Sequence, residues 1–173
     1  GPPTAGRVAG PCAQLGPCGL GSDLRNAVAS ACGPHAIALD CDVPDVASLE
    51  KAVAATVERC GGIDVVVANA GIAPLGMVHS IDPAAFERTI EVNLLGVWRT
   101  VRAALPAVMA SKGDVLIISS YAAAMHLPGV AAYSASQARV EAAPDSLPFD
   151  VTPHGILRGC GAFTGVRTDS GQL

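Results

Sequence analysis

Hydrophobic positions along the chain follow two different periodicities, which predict helices and strands in alternation. Apolar residues from Val46 to Val57 recur at intervals of three and four, with charged residues between them, and this spacing predicts a helix over 46–60. The segment IDVVVANAG at 63–71 instead has a continuous valine run bounded by glycines, which is typical of a strand buried on both faces of a sheet. A further strand, DVLIISS, is predicted at 114–120.

Local start and stop signals predict the remaining elements. These are a helix over 22–32 with Ser22 as its cap, a strand within 35–43, helical structure from 83 to about 110, a helix from about 131 to about 143, and a strand over 156–163. Asp82 and Pro83 supply a capping carboxylate followed by a first-turn proline. Pro144 and Pro148 should end the helix that begins near 131, because an interior proline costs about 3 kcal/mol.

Alternating strands and helices predict an α/β fold with a parallel sheet covered by helices on both faces. We expect one domain over 22–173, preceded by an irregular segment at 1–21 that is rich in glycine, proline and cysteine. In open parallel sheets, ligands bind beyond the carboxyl ends of the strands. That rule points to the polar residues that follow three predicted strands: Asn69 to Gly71, Ser119 and Ser120, and Thr164 to Thr168.

Composition narrows the class of protein. Half of the 173 residues are hydrophobic, only 3% are aromatic, and the formal net charge is -4, so no basic surface for nucleic acid is indicated. The uncharged stretch 115–138 is interrupted by polar residues, which argues against a membrane span, and no secretory signal is apparent. The six cysteines show no C-x-x-C spacing, so we expect reduced thiols, no metal site and a cytoplasmic protein.

Several segments resemble the short-chain dehydrogenase/reductase family. They are VVVANAG, EVNLLG, VLIISS followed by AAYSASQ, and HGI leading to TGVRT, in that order over roughly 35–168. The resemblance implies a Rossmann-like three-layer fold and hydride transfer between NAD or NADP and a small alcohol or ketone. It also implies a homodimer or homotetramer.

The resemblance assigns catalytic roles by position. Ser120 would hydrogen-bond the substrate oxygen, Tyr133 would be the general acid/base, and Asn93 would hold a water of the proton relay. The family has a lysine four residues after the tyrosine, on the same helix face, where this chain has Gln137. A cation about 4 Å away would lower a tyrosine pKa by roughly 3 units at an effective dielectric near 20, and glutamine supplies no such charge.

The resemblance also assigns cofactor contacts. Asp42 and Val43 would lie by the adenine, the segment Asn69, Ala70 and Gly71 would lie along the cofactor, and Thr168 would lie near the nicotinamide carboxamide. Tyr133 would contact the cofactor as well. The family's glycine-rich phosphate loop follows a first strand that would precede residue 1. We therefore expect a divergent member that is incomplete at both ends, with this strand and loop missing or degenerate.

Three functional interpretations remain open. The first is an NAD(P)-dependent oxidoreductase with impaired activity. The second is a catalytically inactive derivative of the family that acts as a binding or oligomerisation module through the helices at 84–110 and 131–147. The third is a different nucleotide-binding protein on the same sheet architecture. Taken singly, Ser120 could be an ordinary strand-end serine and Asn69 an ordinary turn residue. Only the joint spacing favours the first two interpretations.

Overall fold

A computed structural model of the protein describes residues 16, 18–19, 21–125, 127–142 and 157–163. The elements, in chain order, are β1 (Cys18–Gly19), α1 (Ser22–Ala31), β2 (Leu39–Asp40), α2 (Val46–Cys60), β3 (Val65–Ala68), α3 (Pro83–Ile90), a π-helical turn (Glu91–Leu95), α4 (Gly96–Ser111), β4 (Asp114–Ser120), a 3₁₀ turn (Tyr121–Ala123), α5 (Ala131–Val140) and β5 (Leu157–Phe163). None of these helices is long and apolar enough to cross a bilayer.

The three strand pairs among the described residues are all parallel. β4 lies between β3 and β5, with Val65 opposite Asp114 on one side and Ser120 opposite Phe163 on the other. β1 and β2 form a separate two-stranded ladder, in which Cys18 lies opposite Leu39. Parallel strands joined through helices confirm the predicted Rossmann-like α/β class.

The main core lies between the sheet and helices α4 and α5. Side chains alternate along β4, so Val115 and Ile117 are buried while Leu116 and Ile118 are half-buried on the other face. The buried cluster contains mostly small and medium apolar residues, which suits close helix-on-sheet packing in a chain with few aromatic residues: Ala68, Val97, Val101, Ala104, Val108, Val115, Ile117 and Val140.

A second cluster joins β2 to helices α2 and α4. Cys41, Leu49 and Ala52 are buried there, with Val43 packed against them. Gly96, the first residue of α4, allows this close approach, because a Cβ atom added to it would lie 2.6 Å from Val43 Cγ2. Helix α4 therefore contacts both parts of the sheet.

One of the two predicted capping residues is confirmed. The Asp82 side chain accepts a hydrogen bond from Ala84 N at 3.0 Å, so α3 begins where predicted. Helix α2 also begins where predicted, and its cap is Asp45, which the sequence analysis did not name and which accepts a hydrogen bond from Ala47 N at 2.9 Å. The prediction for Ser22 is wrong. The N-cap of α1 is Gly21, and no side chain caps that helix.

Other boundaries differ from the predictions. The predicted strand at 35–43 is reduced to Leu39–Asp40, which pairs with Cys18 and Gly19. β1 itself lies inside the segment that was expected to be irregular. Helix α5 ends at Val140, three residues before the predicted end. Pro144 and Pro148 lie outside the described residues.

The prediction that the 63–71 strand is buried on both faces is wrong. Val65 is 53% exposed and Val67 is 43% exposed, whereas Ala68 is buried and Val66 packs against the main core. Successive side chains of a strand point to opposite faces, so helix α4 covers only one face of β3. Nothing among the described residues buries the other face at these two valines.

Candidate active site

Ser120 is the last residue of β4 and begins the turn that follows it. Its backbone is extended, with φ -131° and ψ 151°, and its Oγ accepts a hydrogen bond from Ala122 N at 3.2 Å. The chain thus reverses immediately beyond the carboxyl edge of the sheet. Because the hydroxyl oxygen is the acceptor in this bond, its proton is left to donate to another oxygen.

Tyr133 lies in the first turn of α5. This helix packs against the 3₁₀ turn that Ser120 caps and against β4, so the fold brings Tyr133 to the carboxyl edge where Ser120 lies. The Tyr133 side chain is half-buried. The structure thus brings together the elements that carry Ser120 and Tyr133, and the joint action of the two hydroxyl groups on a substrate stays a prediction.

Asn93 is fully buried in the π-helical turn and joins three parts of the site. Its Oδ1 accepts a hydrogen bond from Ile72 N at 2.8 Å, and its Nδ2 donates to Ile72 O at 2.9 Å and to Ser136 Oγ at 3.0 Å. Both amide hydrogens are used, so the side chain holds the loop after β3 against α5. Its role in holding a water stays a prediction.

Ser136 is a site residue that the sequence analysis missed. It is buried, accepts from Asn93, and its Oγ donates to the Tyr133 carbonyl oxygen at 2.7 Å. This chain of hydrogen bonds fixes the first turn of α5, which carries the tyrosine. The available signal was the position of Ser136 three residues after Tyr133, where a hydroxyl can bond back to the preceding turn.

Gln137 lies four residues after Tyr133, one helical turn further along α5. Only 6% of the residue is exposed, and within the described part of the chain its Oε1 has no hydrogen-bond partner. A buried acceptor without a donor typically costs about 1–3 kcal/mol. A hydroxyl donor brought by a ligand would remove that cost.

The loop after β3 borders the same edge. Asn69, Ala70 and Gly71 are exposed, and a Cβ atom on Gly71 would lie 3.4 Å from Asn93 Oδ1. Further along, Gly76 N donates to Gly129 O at 2.9 Å, which ties this loop to the segment before α5. The loop after β3, the 3₁₀ turn after β4 and the segment before α5 carry exposed apolar side chains: Ile72, Leu75, Met77, Val78, Tyr121, Met125 and Leu127.

Asp42 and Val43, the predicted adenine contacts, follow β2. Asp42 N donates to Ser48 Oγ at 3.1 Å, and the Asp42 carboxylate lies 3.8 Å from Arg88 Nη2. Val43 packs against Gly96. The segment 42–43 therefore lies between the first turn of α2, which carries Ser48, and helices α3 and α4, which carry Arg88 and Gly96. Thr168, the remaining predicted contact, lies outside the described residues.

The basic residues closest in sequence to Tyr133 and Gln137 do not lie beside the tyrosine on its helix face. Arg139 is exposed on α5, and Lys112 follows the last residue of α4, near the amino end of β4. His79 is exposed on the loop after β3. Neither Arg139 nor Lys112 therefore takes the place of the lysine that the family has at position 137.

Comparisons with known proteins identify the ancestry of this arrangement. Residues 12–172 match the family model of the short chain dehydrogenases. The chain is 35% identical over 139 residues to an uncharacterised NAD-dependent oxidoreductase of Mycobacterium tuberculosis, covering 79% of this chain and 50% of that protein. It is 39% identical over 115 residues to the trans-4-hydroxycyclohexanecarboxylate dehydrogenase of Sinomonas cyclohexanicum, covering 66% and 44%.

The fold is shared with solved structures as well. A dehydrogenase/reductase from Sinorhizobium meliloti superposes with a TM-score of 0.84 at 29% identity, covering 92% of this chain and 66% of that one. The chain spans about half the length of the curated relatives it matches. The match to the family model covers most of the sequence, and the chain belongs to the short-chain dehydrogenase/reductase family.

Proposed function

We propose that this chain carries the catalytic edge of an NAD(P)-dependent oxidoreductase that acts on a small alcohol or carbonyl compound, and that Gln137 limits its activity. The observation that carries the proposal is the buried hydrogen-bond chain from Ile72 through Asn93 and Ser136 to the Tyr133 carbonyl. It fixes the tyrosine-bearing turn at the edge where Ser120 ends β4. The names of the relatives support the same class of reaction.

In this proposal, two hydroxyl groups handle the substrate oxygen. Ser120 donates its free proton to that oxygen and so orients the reacting carbon, and the Tyr133 phenol gives or takes the proton. The nicotinamide group, when bound, supplies or accepts the hydride. The exposed apolar side chains of the neighbouring loops favour a substrate that is apolar away from its oxygen.

Gln137 affects proton transfer and cofactor contact in different ways. Its side-chain amide carries no charge, so it does not supply the positive charge of the lysine that the family has at this position. Its buried Oε1 is nevertheless an acceptor that a ribose hydroxyl could satisfy. The residues at this edge therefore fit the nicotinamide half of the cofactor, with Asn69 to Gly71 beside it and Asp42 and Val43 toward the adenine. We expect the proton-transfer step to be impaired more than this contact.

Titration of the chain with NADH and with NADPH, followed by nicotinamide fluorescence, tests the proposal. We expect weak binding, with a dissociation constant above about 1 mM, a regime worth only about 4 kcal/mol. Gln137→Lys should not restore turnover unless binding persists in that variant. The first alcohol to assay is trans-4-hydroxycyclohexanecarboxylate, after the relative's name.

The results of this titration separate the alternatives. Saturable binding of NADH or NADPH with a dissociation constant near micromolar would contradict the expected weak binding. The wild-type chain and Gln137→Lys would then both be assayed for dehydrogenase activity. Binding of neither nucleotide by either variant would contradict an oxidoreductase role for this chain and would favour an inactive family member. Tyr133→Phe is the matched control, because it removes the proposed acid/base and leaves Gln137 in place.

A second candidate function is self-association through α4. Trp98 is 57% exposed on this helix, with Leu95 in the preceding turn also exposed, and the guanidinium carbon of Arg102 lies 5.6 Å from the centre of the indole ring. A large aromatic side chain on an open helix face is typical of a protein interface. This candidate agrees with the oligomer that the family resemblance implies.

A further inference from the structure

One side-chain hydrogen bond joins the end of β4 to the end of α5. Ser119, the next-to-last residue of the strand, donates its hydroxyl hydrogen to Glu141 Oε1, with 3.1 Å between the two oxygens. Ser119 is 3% exposed, whereas Glu141 is exposed and occupies the C-cap position of α5. The two elements that this bond joins are those that carry Ser120 and Tyr133.

Stability alone does not explain the placement of this pair. Ser119 lies on the same face of β4 as the buried Val115 and Ile117, where an apolar residue would fit without needing a hydrogen-bond partner. A carboxylate at the C-terminal end of a helix is disfavoured by the helix dipole. A polar pair is therefore present where packing and electrostatics favour other residues, and a role in positioning is the better explanation.

Helix α5 is attached to the rest of the site at two positions. Ser136 accepts a hydrogen bond from Asn93, which lies in the π-helical turn, and Glu141 accepts one from β4. Glu141 follows Ser136 by five residues, which corresponds to about 140° of rotation and about 7.5 Å of rise along the helix. The Asn93 bond alone would leave the helix free to tilt or slide relative to the strand. The two bonds together fix the position and the rotation of α5 against β4.

This attachment bears on the distance between the two hydroxyl groups proposed to act on the substrate. Ser119 and Ser120 are consecutive, so a bond that holds the Ser119 side chain also holds the peptide group that carries Ser120. Tyr133 lies eight residues before Glu141 on the same helix, about 12 Å along its axis. A small tilt of α5 at its C-terminal end therefore displaces the phenol at its other end.

We propose that Glu141 is a positioning residue, which holds Ser119 and thereby sets the Tyr133 phenol at the distance from the Ser120 hydroxyl at which both can bind one substrate oxygen. The inference rests on the function proposed above for these two hydroxyl groups. Glu141 acts through its hydrogen-bond acceptor and not through its charge, because the Ser119 hydroxyl needs only an oxygen acceptor. Glu141→Gln should therefore preserve the geometry, and Glu141→Ala should not.

Fluorine NMR of a single labelled tyrosine tests the proposal without cofactor, substrate or activity. The chain contains two tyrosines, so Tyr121→Phe leaves Tyr133 as the only site for incorporated 3-fluorotyrosine. In this background we expect Glu141→Ala and Ser119→Ala to move or broaden the Tyr133 resonance in the same way, since both remove the same bond. The double variant should add nothing further, and Glu141→Gln should keep the resonance of the parent chain.

Glu58→Ala is the matched control, because Glu58 is also an exposed glutamate near the end of a helix, in the last turn of α2. It should leave the Tyr133 resonance unchanged. Urea unfolding of each variant separates positioning from stability, since a bond that only stabilises the fold would lower the unfolding midpoint without moving the resonance of the folded chain.

Two outcomes of the NMR measurement would overturn the proposal. One is an unmoved Tyr133 resonance in either folded variant, Glu141→Ala or Ser119→Ala. The other is a resonance that Glu141→Gln displaces as far as Glu141→Ala does. Ser119→Ala removes a single oxygen, so it still decides the question if Glu141→Ala does not fold.

Turnover gives a second readout, which depends on the proposed function. With any alcohol that the chain oxidises, Glu141→Ala should lower kcat by about tenfold or more and change KM less, because a displacement near 1 Å can cost about a hundredfold in rate. An unchanged kcat in this variant would overturn the proposal. Failure of the proposed function would instead appear as absent turnover in the wild-type chain, and the role of Glu141 is then decided by the resonance, which needs no nucleotide.

Discussion

Asn93 shows how one side chain determines the geometry of the site. The amide makes three hydrogen bonds, two of them to the backbone of Ile72 and one to Ser136. Those contacts join residues that are 21 and 43 positions apart in the sequence. The sequence identifies Asn93 as a family position, but no local pattern could predict its partners, because they depend on the packing of α5 against the π-helical turn.

Asn93→Ala should lower the free energy of unfolding by about 2–4 kcal/mol, since it leaves the Ile72 N–H and C=O groups without their partners. Urea denaturation followed by circular dichroism measures the change. Asn69→Ala, at an exposed position on the same loop, is the matched control and should change stability by less than about 0.5 kcal/mol. Equal effects of the two substitutions would show that the Asn93 bonds contribute little.

At the scale of elements, Val43, in the segment after β2, packs closely against Gly96 at the start of α4. Gly96→Ala should lower the free energy of unfolding by about 1–3 kcal/mol, because the new methyl group would overlap the Val43 side chain. Val43→Ala should relieve most of the overlap, because it removes Cγ2 at 2.6 Å and leaves only Cβ at 3.1 Å. The double variant should therefore lose less stability than the sum of the two single losses. A double-mutant cycle from thermal or urea unfolding measures this coupling.

Gly19→Ala serves as the control for that cycle, since a methyl group there meets no atom within 4 Å and stability should stay within about 0.5 kcal/mol. Strictly additive effects of Gly96→Ala and Val43→Ala would contradict the proposed contact. The cycle therefore tests whether α4 is seated directly against the segment that follows β2.

The elements that were predicted correctly carry their own signals. Helix α2 has apolar periodicity, the Asp45 cap and Gly61 in the left-handed conformation at its end, and β4 has a continuous apolar run, so both have the predicted bounds. The strand predicted within 35–43 is shorter than expected, because a strand's own sequence does not specify how many of its residues pair with a neighbouring strand. The π-helical turn was not predicted, because it lies inside an otherwise continuous helical pattern. Burial of Val65 and Val67 depends on what lies opposite, which the strand's own sequence does not specify.

For the whole molecule, the exposed indole on α4 predicts self-association. Trp98→Glu should shift the chain toward monomer in sedimentation velocity, because a carboxylate on an apolar interface must be desolvated without a partner. Lys51→Glu, on the exposed side of α2, is the control and should leave the sedimentation coefficient unchanged. A wild-type chain that sediments as a monomer across the micromolar range would contradict an interface on this helix.

The exposed valines of β3 lie at a strand edge that can pair with another strand. Within the described residues β3 pairs with β4 alone, so one edge of an apolar strand offers backbone hydrogen-bonding groups beside Val65 and Val67. Such an edge is a template for adding strands from other molecules, and charged residues that would block this are absent from VVVA. Addition of a strand at this edge, from elsewhere in the chain or from another copy, would bury both valines and satisfy those backbone groups.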